Sequence, residues 1–322
     1  MIIAKSPFRI TLGGGGTDMP KFYSKWGSFF ISAAIDKYIY VALKKNILDS
    51  NIRCQYLATE VVNDVNQLKH DRARECLKHF NIKNGYEITS VADLPSGSGL
   101  GSSGSYIVAL LKCLHRMKSK TCTKDSIAEL AFKIEHDILG EPVGKQDQYI
   151  ASHGAIQAFT IQKDGTVSNK KINLPDYNLF YKNCRMYFTN TTRNASKILA
   201  LQHSNPPSIE DSMLKIKEIG YKSYDALVSG DYDAWGNLLH EHWTVKKSVS
   251  KKMTVSGVEQ LYQEMYDNKQ ILGGKIIGAG GGGFMMLYIP KNHSIIDKKM
   301  QDAGYKRVPF NFDTNGCQII EG

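Results

Sequence analysis

One stretch restricts this chain more than any other: Leu94-Pro-Ser-Gly-Ser-Gly-Leu-Gly-Ser-Ser103. Ahead of it, Tyr86-Glu-Ile-Thr-Ser-Val91 is short and alternating, as a strand should be. Behind it, Ile107, Leu110, Leu111 and Leu114 fall at i, i+3, i+4 and i+7, one face of a helix. Small residues between the two let the backbone approach a ligand and take positive φ where needed. A helix that opens directly after such a loop aims its unpaired N–H groups and its dipole into the loop's concavity. That is an anion site, suited to the phosphates of a nucleotide. It is not a Walker A loop, because GxxxxGK[ST] is absent and no lysine follows the last glycine. A merely flexible Gly/Ser turn is the bland alternative, and the flanking strand and helix argue against it.

Two further glycine-rich segments stand near the ends of the chain. In Ser6-Pro-Phe-Arg-Ile-Thr-Leu-Gly-Gly-Gly-Gly-Thr-Asp18 a strand carries Arg9 into four glycines, then Thr17 and Asp18. Asp and Thr hydrogen-bond sugar hydroxyls, although a hairpin would use the same residues in a turn. Gly278-Ala-Gly-Gly-Gly-Gly-Phe284 has the glycine content of a dinucleotide fingerprint but opens the strand Phe284–Ile289, whereas a Rossmann loop opens a helix. No acidic residue follows at the spacing that fingerprint needs, which argues against an NAD-dependent dehydrogenase.

The rest of the chain reads as mixed strands and helices, an α+β rather than a regular doubly wound pattern. Strands are expected at Ile2–Lys5 with Phe8–Leu12, Ser28–Ile35, Tyr38–Leu43, Ala155–Ile161, Arg185–Thr189 and Phe284–Ile289. Ile127, Leu130, Ala131, Ile134 and Ile138 mark a second amphipathic helix, and a short one should run from Lys145 to Gly154. Helical patterns follow across about 194–203, 209–229, 232–250, 254–270 and 294–303. The length of 322 residues is enough for two domains, placed at 1–175 and 176–322. The net charge of +10 favours anionic partners, yet the basic residues are scattered and form no arm or tail. Nucleic acid is therefore not an expected partner. No apolar run reaches the roughly 20 residues of a membrane helix, and the start does not read as a signal peptide. Six cysteines without CxxC or zinc spacing read as reduced cytoplasmic thiols.

Taken together and in this order, the three loops resemble the three motifs of the GHMP kinases (galactokinase, homoserine kinase, mevalonate kinase, phosphomevalonate kinase). The resemblance implies two domains, the first like the second domain of ribosomal protein S5 and the second ferredoxin-like, with the active site between them. It implies ATP and Mg²⁺ as cofactors. Pro95, Ser96, Gly97, Ser98, Gly99, Leu100, Gly101, Ser102 and Ser103 would then hold the nucleotide, and Ser103 with Glu135 the metal. By pattern alone Glu135 is a boundary residue at the edge of its helix's apolar stripe; only the resemblance makes it a ligand. Asp147, within Gly144-Lys-Gln-Asp-Gln148, would orient the acceptor hydroxyl from the first turn of its helix, where the dipole attracts negative charge. Arg9 would stabilise that aspartate or the transferring phosphoryl. Without the resemblance, Asp147 is an ordinary carboxylate at a helix start.

Other members carry Gly-Glu-His after the first strand. Here the form is Gly-Gly-Gly-Thr-Asp, ending at Asp18, and with Gly144–Tyr149 and Thr192-Arg-Asn-Ala-Ser196 it is most similar to the heptose 7-phosphate kinases. That implies a small-molecule sugar phosphate as substrate, bound by Gly14, Gly15, Thr17, Asp18, Gly280 and Gly281, with Arg193 as the first candidate for the substrate's phosphate. Lys275 is read either as facing nucleotide or substrate, or as a surface residue. A kinase for a free sugar such as L-fucose is the alternative within the family. A basic RNA-binding protein is the alternative of another class, disfavoured because most aromatics sit in apolar patterns. No oligomeric state follows from the sequence.

Overall fold

The β-branched and aromatic runs at the N-terminus become two long antiparallel strands, β1 (Ile2–Gly13) and β2 (Ser28–Lys45). The computed structural model describes residues 1–191, 207–249, 256–278 and 280–322. Where the sequence suggested two short runs in each place, there is one strand. In β1 the register shifts between Pro7 and Phe8, where a residue without an N–H is tolerated. Through its length β2 serves two partners: Ser28–Ala33 pairs with β6 (Ile156–Ile161) and Ile39–Lys45 with β5 (Tyr86–Ala92).

Around this pair the first sheet runs β12-β1-β2-β5-β3-β4, with β6 and β7 (Val167–Lys171) branching from β2. The short strands β3 (Ile52–Gln55), β4 (Thr59–Val62) and β12 (Gln318–Glu321) were not foreseen. Helices α1 (Pro20–Trp26), α2 (Asp71–His79), α3 (Ser102–Met117), α4 (Lys124–Lys133) and α5 (Gln146–His153) belong to this half. The period of α3 predicts an amphipathic helix, yet Gly104–Leu111 is buried on every side. The helix lies on β1 and β2 and is covered by α2, α4 and α5, so no face is left for solvent.

The second sheet runs β11-β8-β10-β9, from β8 (Cys184–Phe188), β9 (Gly273–Ile276), β10 (Phe284–Tyr288) and β11 (Lys306–Arg307). In chain order that is fourth, first, third, second, all antiparallel, with a helix between third and fourth: the ferredoxin-like arrangement. Its described helices are α6 (Tyr177–Asn183), α7 (Pro207–Ser229), α8 (Tyr232–Val249), α9 (Ser256–Asp267) and α10 (His293–Asp302). β10 is apolar at every position because both its faces are covered. Phe284, Met286 and Tyr288 join the core shared with the first sheet, whereas Met285 and Leu287 pack with Trp243, Tyr262 and Met300. The chain passes between the sheets from β7 to β8, near the expected division at 175. Because β12 returns to pair with β1, that division remains a working proposal. All six cysteines are unpaired. Among the described residues no helix is long and apolar enough to cross a membrane.

Helix α8 is pinned to the first sheet by Trp235, which is fully buried and donates its ring N–H to the Leu12 carbonyl at 3.0 Å. Replacing it with Phe keeps most of the apolar burial but orphans that carbonyl, a cost of about 1–3 kcal/mol. Trp235→Phe is expected to lower the urea midpoint measurably; an unchanged midpoint would show that the bond is not needed to hold α8.

Candidate active site

The Gly/Ser loop owes its shape to an alternation. Gly97, Gly99 and Gly101 take φ of 71°, 81° and 77°, the left-handed region that glycine enters without strain. Between them, Ser98 and Leu100 turn inward and are fully buried. Pro95, Ser96, Gly97, Gly99, Gly101, Ser102 and Ser103 line a cleft of about 1080 Å³. Of the residues expected to hold a nucleotide, Ser98 and Leu100 therefore support the loop from behind. Gly101 opens α3, so that helix's first N–H groups face the cleft. Val91 and Leu94, with Tyr56 and Leu57, which were not singled out in the sequence, add an apolar wall.

Arg9 joins three segments. Its backbone N–H donates to the Leu100 carbonyl at 3.0 Å, its Nε to Asp147 Oδ1 at 2.7 Å, and a terminal guanidinium nitrogen to the Gly99 carbonyl. Asp147 stands in the first turn of α5 as expected, and is 30% exposed against 8% for Arg9, so the carboxylate is the accessible partner. Asp18 lies beside it. Its Oδ2 accepts the Gln146 N–H at 3.0 Å, and the Gln146 amide in turn donates to Thr11 Oγ1 at 2.6 Å and Ser32 Oγ at 3.2 Å. Burial pushes the Asp18 carboxyl up, against the Gln146 hydrogen bond that pulls it down.

The first glycine loop is only partly in the cleft. Gly15, Gly16 and Asp18 line it. Gly14, at φ +69°, is held so close to β2 that a Cβ there would lie 2.2 Å from the Phe29 carbonyl oxygen. Thr17 is fully buried and hydrogen-bonds the Gly14 carbonyl and Ser28 Oγ, each at 2.7 Å. Both residues shape the loop, and neither faces the cleft. The third loop behaves likewise. A Cβ on Gly278 would meet the Gly99 oxygen at 2.5 Å, and one on Gly283 the Ser98 oxygen at 2.0 Å, so two backbones pack directly. Gly278 reaches the cleft, while Gly280 and Gly281 are buried and do not line it. Arg193 and the helix expected at 194–203 lie outside the described residues.

Ser103 and Glu135 do meet, Ser103 Oγ donating to Glu135 Oε1. Glu135 is fully buried in a turn of π-helix that continues α4 (Ile134–Ile138), a local widening frequent at functional sites. Burial raises its carboxyl, opposed by Arg72 and the Ser103 hydrogen bond. Sequence reasoning missed Arg72. Its Nε donates to Ser103 Oγ at 2.6 Å and to Glu135 Oε1 at 3.2 Å, and it stands between Glu135 and the cleft. Nothing in the local pattern of α2 marks it, since Ser103 and Glu135 lie more than 30 residues away in the chain. Gln148 donates to the other Glu135 oxygen at 2.6 Å. Lys275 is 2% exposed and lines the cleft with His242 and Lys246, which excludes the surface reading.

The raised Asp18 carboxyl carries a pH signature. A carboxyl with a raised folded-state pKa favours folding while protonated, below the unfolded value of about 4, and that contribution is lost as pH rises through the folded value. Asp18→Asn keeps the acceptor for the Gln146 N–H and removes the buried charge. It is expected to melt above the wild type at pH 7 and to converge with it near pH 4; equal melting temperatures at both pH values would contradict this.

Comparison with known proteins agrees with this geometry. The "GHMP kinases N terminal domain" profile matches residues 67–155 and the "GHMP kinases C terminal" profile residues 223–298. The chain is 29% identical to the D-glycero-alpha-D-manno-heptose 7-phosphate kinase of Campylobacter jejuni, over 98% of each. It is 25% identical to the L-fucokinase/L-fucose-1-P guanylyltransferase of Bacteroides fragilis, over 89% of this chain and 34% of that protein. The fold superposes on a crystal structure of a D-glycero-D-manno-heptose 1-phosphate kinase from Bacteriodes thetaiotaomicron with a TM-score of 0.81, at 22% identity, covering 100% of this chain and 99% of that one. With both family domains matched in order, and the three glycine loops gathered around one cleft, the chain belongs to the GHMP kinase family of ATP-dependent phosphotransferases.

Proposed function

We propose that this kinase transfers the γ-phosphoryl group of ATP to the anomeric hydroxyl of D-glycero-D-manno-heptose 7-phosphate, giving the 1,7-bisphosphate used to build nucleotide-activated heptose for surface polysaccharide. The observation that carries the reading is the Arg9–Asp147 pair, tied on one side to the glycine loop and lying on the other beside Asp18. The full-length similarity to a heptose 7-phosphate kinase supports the choice of sugar.

Phosphoryl transfer runs through a loose transition state in most analyses, so placement and charge neutralisation carry most of the catalysis. The glycine loop and the N-terminus of α3 bind the nucleotide phosphates. Asp147, with one oxygen fixed by Arg9, holds the acceptor hydroxyl in line and takes its proton late. Asp18 and the backbone of Gly15 bind the sugar's hydroxyls.

Mg²⁺ takes one or two carboxylates together with phosphate oxygens and water. The Ser103 hydroxyl and the Glu135 carboxylate are donors of that kind, and Arg72, which donates to both, would have to give way for an ion to reach them. These two residues would hold the ion, which when bound would neutralise charge on the β- and γ-phosphates.

The test is ADP release with Mg·ATP against heptose 7-phosphate, sedoheptulose 7-phosphate, fucose, galactose, mannose, mevalonate and homoserine. Turnover is expected with heptose 7-phosphate, and a drop of roughly 10²- to 10⁴-fold in Asp147→Ala with nucleotide binding retained. Turnover of fucose instead would replace the substrate and leave the kinase.

A further inference from the structure

Gln146 opens α5 one residue before Asp147, and it is buried yet lines the cleft. Backbone and side chain are both tied. The backbone N–H donates to Asp18 Oδ2 at 3.0 Å, and the side-chain nitrogen donates to Thr11 Oγ1 at 2.6 Å and Ser32 Oγ at 3.2 Å. The Asp18 carboxylate comes this close because residue 144 is glycine, where a Cβ would lie 2.0 Å from Asp18 Oδ2.

A side-chain amide can point either of two ways, and its hydrogen-bond partners decide between them. A hydroxyl has one proton to give. Ser32 gives its proton to the Ile10 carbonyl at 3.2 Å, so toward Gln146 it can only accept. The amide nitrogen is therefore the inward atom, and the carbonyl oxygen is what Gln146 presents to the cleft. Among the described residues nothing donates to that oxygen, and it is not sealed away from solvent. Once a substrate covers it, such an acceptor costs free energy unless the substrate brings a donor.

The neighbours narrow that donor to a hydroxyl. Asp18 and Asp147 line the cleft with Gln146. A phosphate dianion brings no proton and meets the Asp147 carboxylate, whereas a sugar hydroxyl supplies the proton the oxygen needs.

We propose that Gln146 Oε1 accepts a hydrogen bond from the sugar hydroxyl next to the one that is phosphorylated, and that Ser32 is the positioning residue that aims it. The inference rests on the reading of Asp147 as the group that holds the reacting hydroxyl, because consecutive residues of one helical turn then serve neighbouring positions of the ring. In heptose 7-phosphate phosphorylated at the anomeric position, that neighbour is the 2-hydroxyl.

The experiment compares kcat/KM for heptose 7-phosphate with that for its 2-deoxy and 2-deoxy-2-fluoro analogues, in the wild type, Gln146→Met and Ser32→Ala. In the wild type each analogue is expected to lose roughly 5- to 100-fold, as for one acceptor left unpaired. Fluorine accepts but cannot donate, so the fluoro analogue should fail alongside the deoxy one. Recovery by fluorine would place a donor at this position and overturn the proposal. In Gln146→Met both penalties are expected to shrink to about twofold or less, since the partner of the missing hydroxyl is gone. A general disturbance of the site, or the inductive effect of fluorine, cancels in that ratio. Ser32→Ala keeps the amide but lets it turn, and should shrink the penalties part of the way; full penalties there would remove Ser32 from the positioning role. Penalties in Gln146→Met equal to those of the wild type would overturn the proposal. If the wild type turns over another sugar of the panel instead, the substrate reading falls, and the matching deoxy and fluoro analogues of that sugar test Gln146 in the same way.

Discussion

The guanidinium of Arg9 is the contact on which the arrangement of the site depends. It leaves the middle of β1, reaches the carbonyl of Gly99 and fixes Asp147 at the start of α5. A strand, a loop and a helix from distant parts of the chain are thereby held in one geometry. An arginine suits the task, since its planar fork serves two acceptors at once and it stays charged at any relevant pH. Around it the Gln146 amide and Asp18 extend the same network to β2.

The site concentrates groups that a protein selected only for stability would avoid. Glu135 is fully buried, Asp18 nearly so, and on the opposite domain His242 and Lys275 are buried near other cations. Each costs desolvation that its partners offset only in part. The scaffold tolerates this because both sheets are covered on the faces that matter: the stretch Gly104–Leu111 of α3 is enclosed on all sides, and β10 places apolar side chains in two cores. Phosphoryl transfer needs fixed charges in a dry cleft, and a large apolar framework is what makes that affordable.

The glycines show how far a sequence can be read. Gly97, Gly99 and Gly101 are where a phosphate loop would have them, and their positive φ follows from the alternation itself. Gly14, Gly15, Gly280 and Gly281 were read as ligand contacts, yet of these only Gly15 lines the cleft, and Gly14, Gly278 and Gly283 have a backbone oxygen from another segment where a Cβ would stand. Thr17 similarly braces its own loop. A sequence displays the absence of a side chain; whether a ligand or another strand fills the space is a matter of packing.

The order of strand, glycine loop and helix, the break before Gly154 and the two-domain α+β pattern were determined by the sequence alone, because they rest on local periodicity and on what glycine and proline permit. Local spacing also placed Asp147 in the first turn of its helix. The union of β1 and β2 into two long strands, the return of β12, the screening of Glu135 by Arg72 and the convergence of His242, Lys246 and Lys275 were decided only in three dimensions. Each joins residues far apart in the chain, and such contacts arise from tertiary packing, which leaves no periodic trace in either partner.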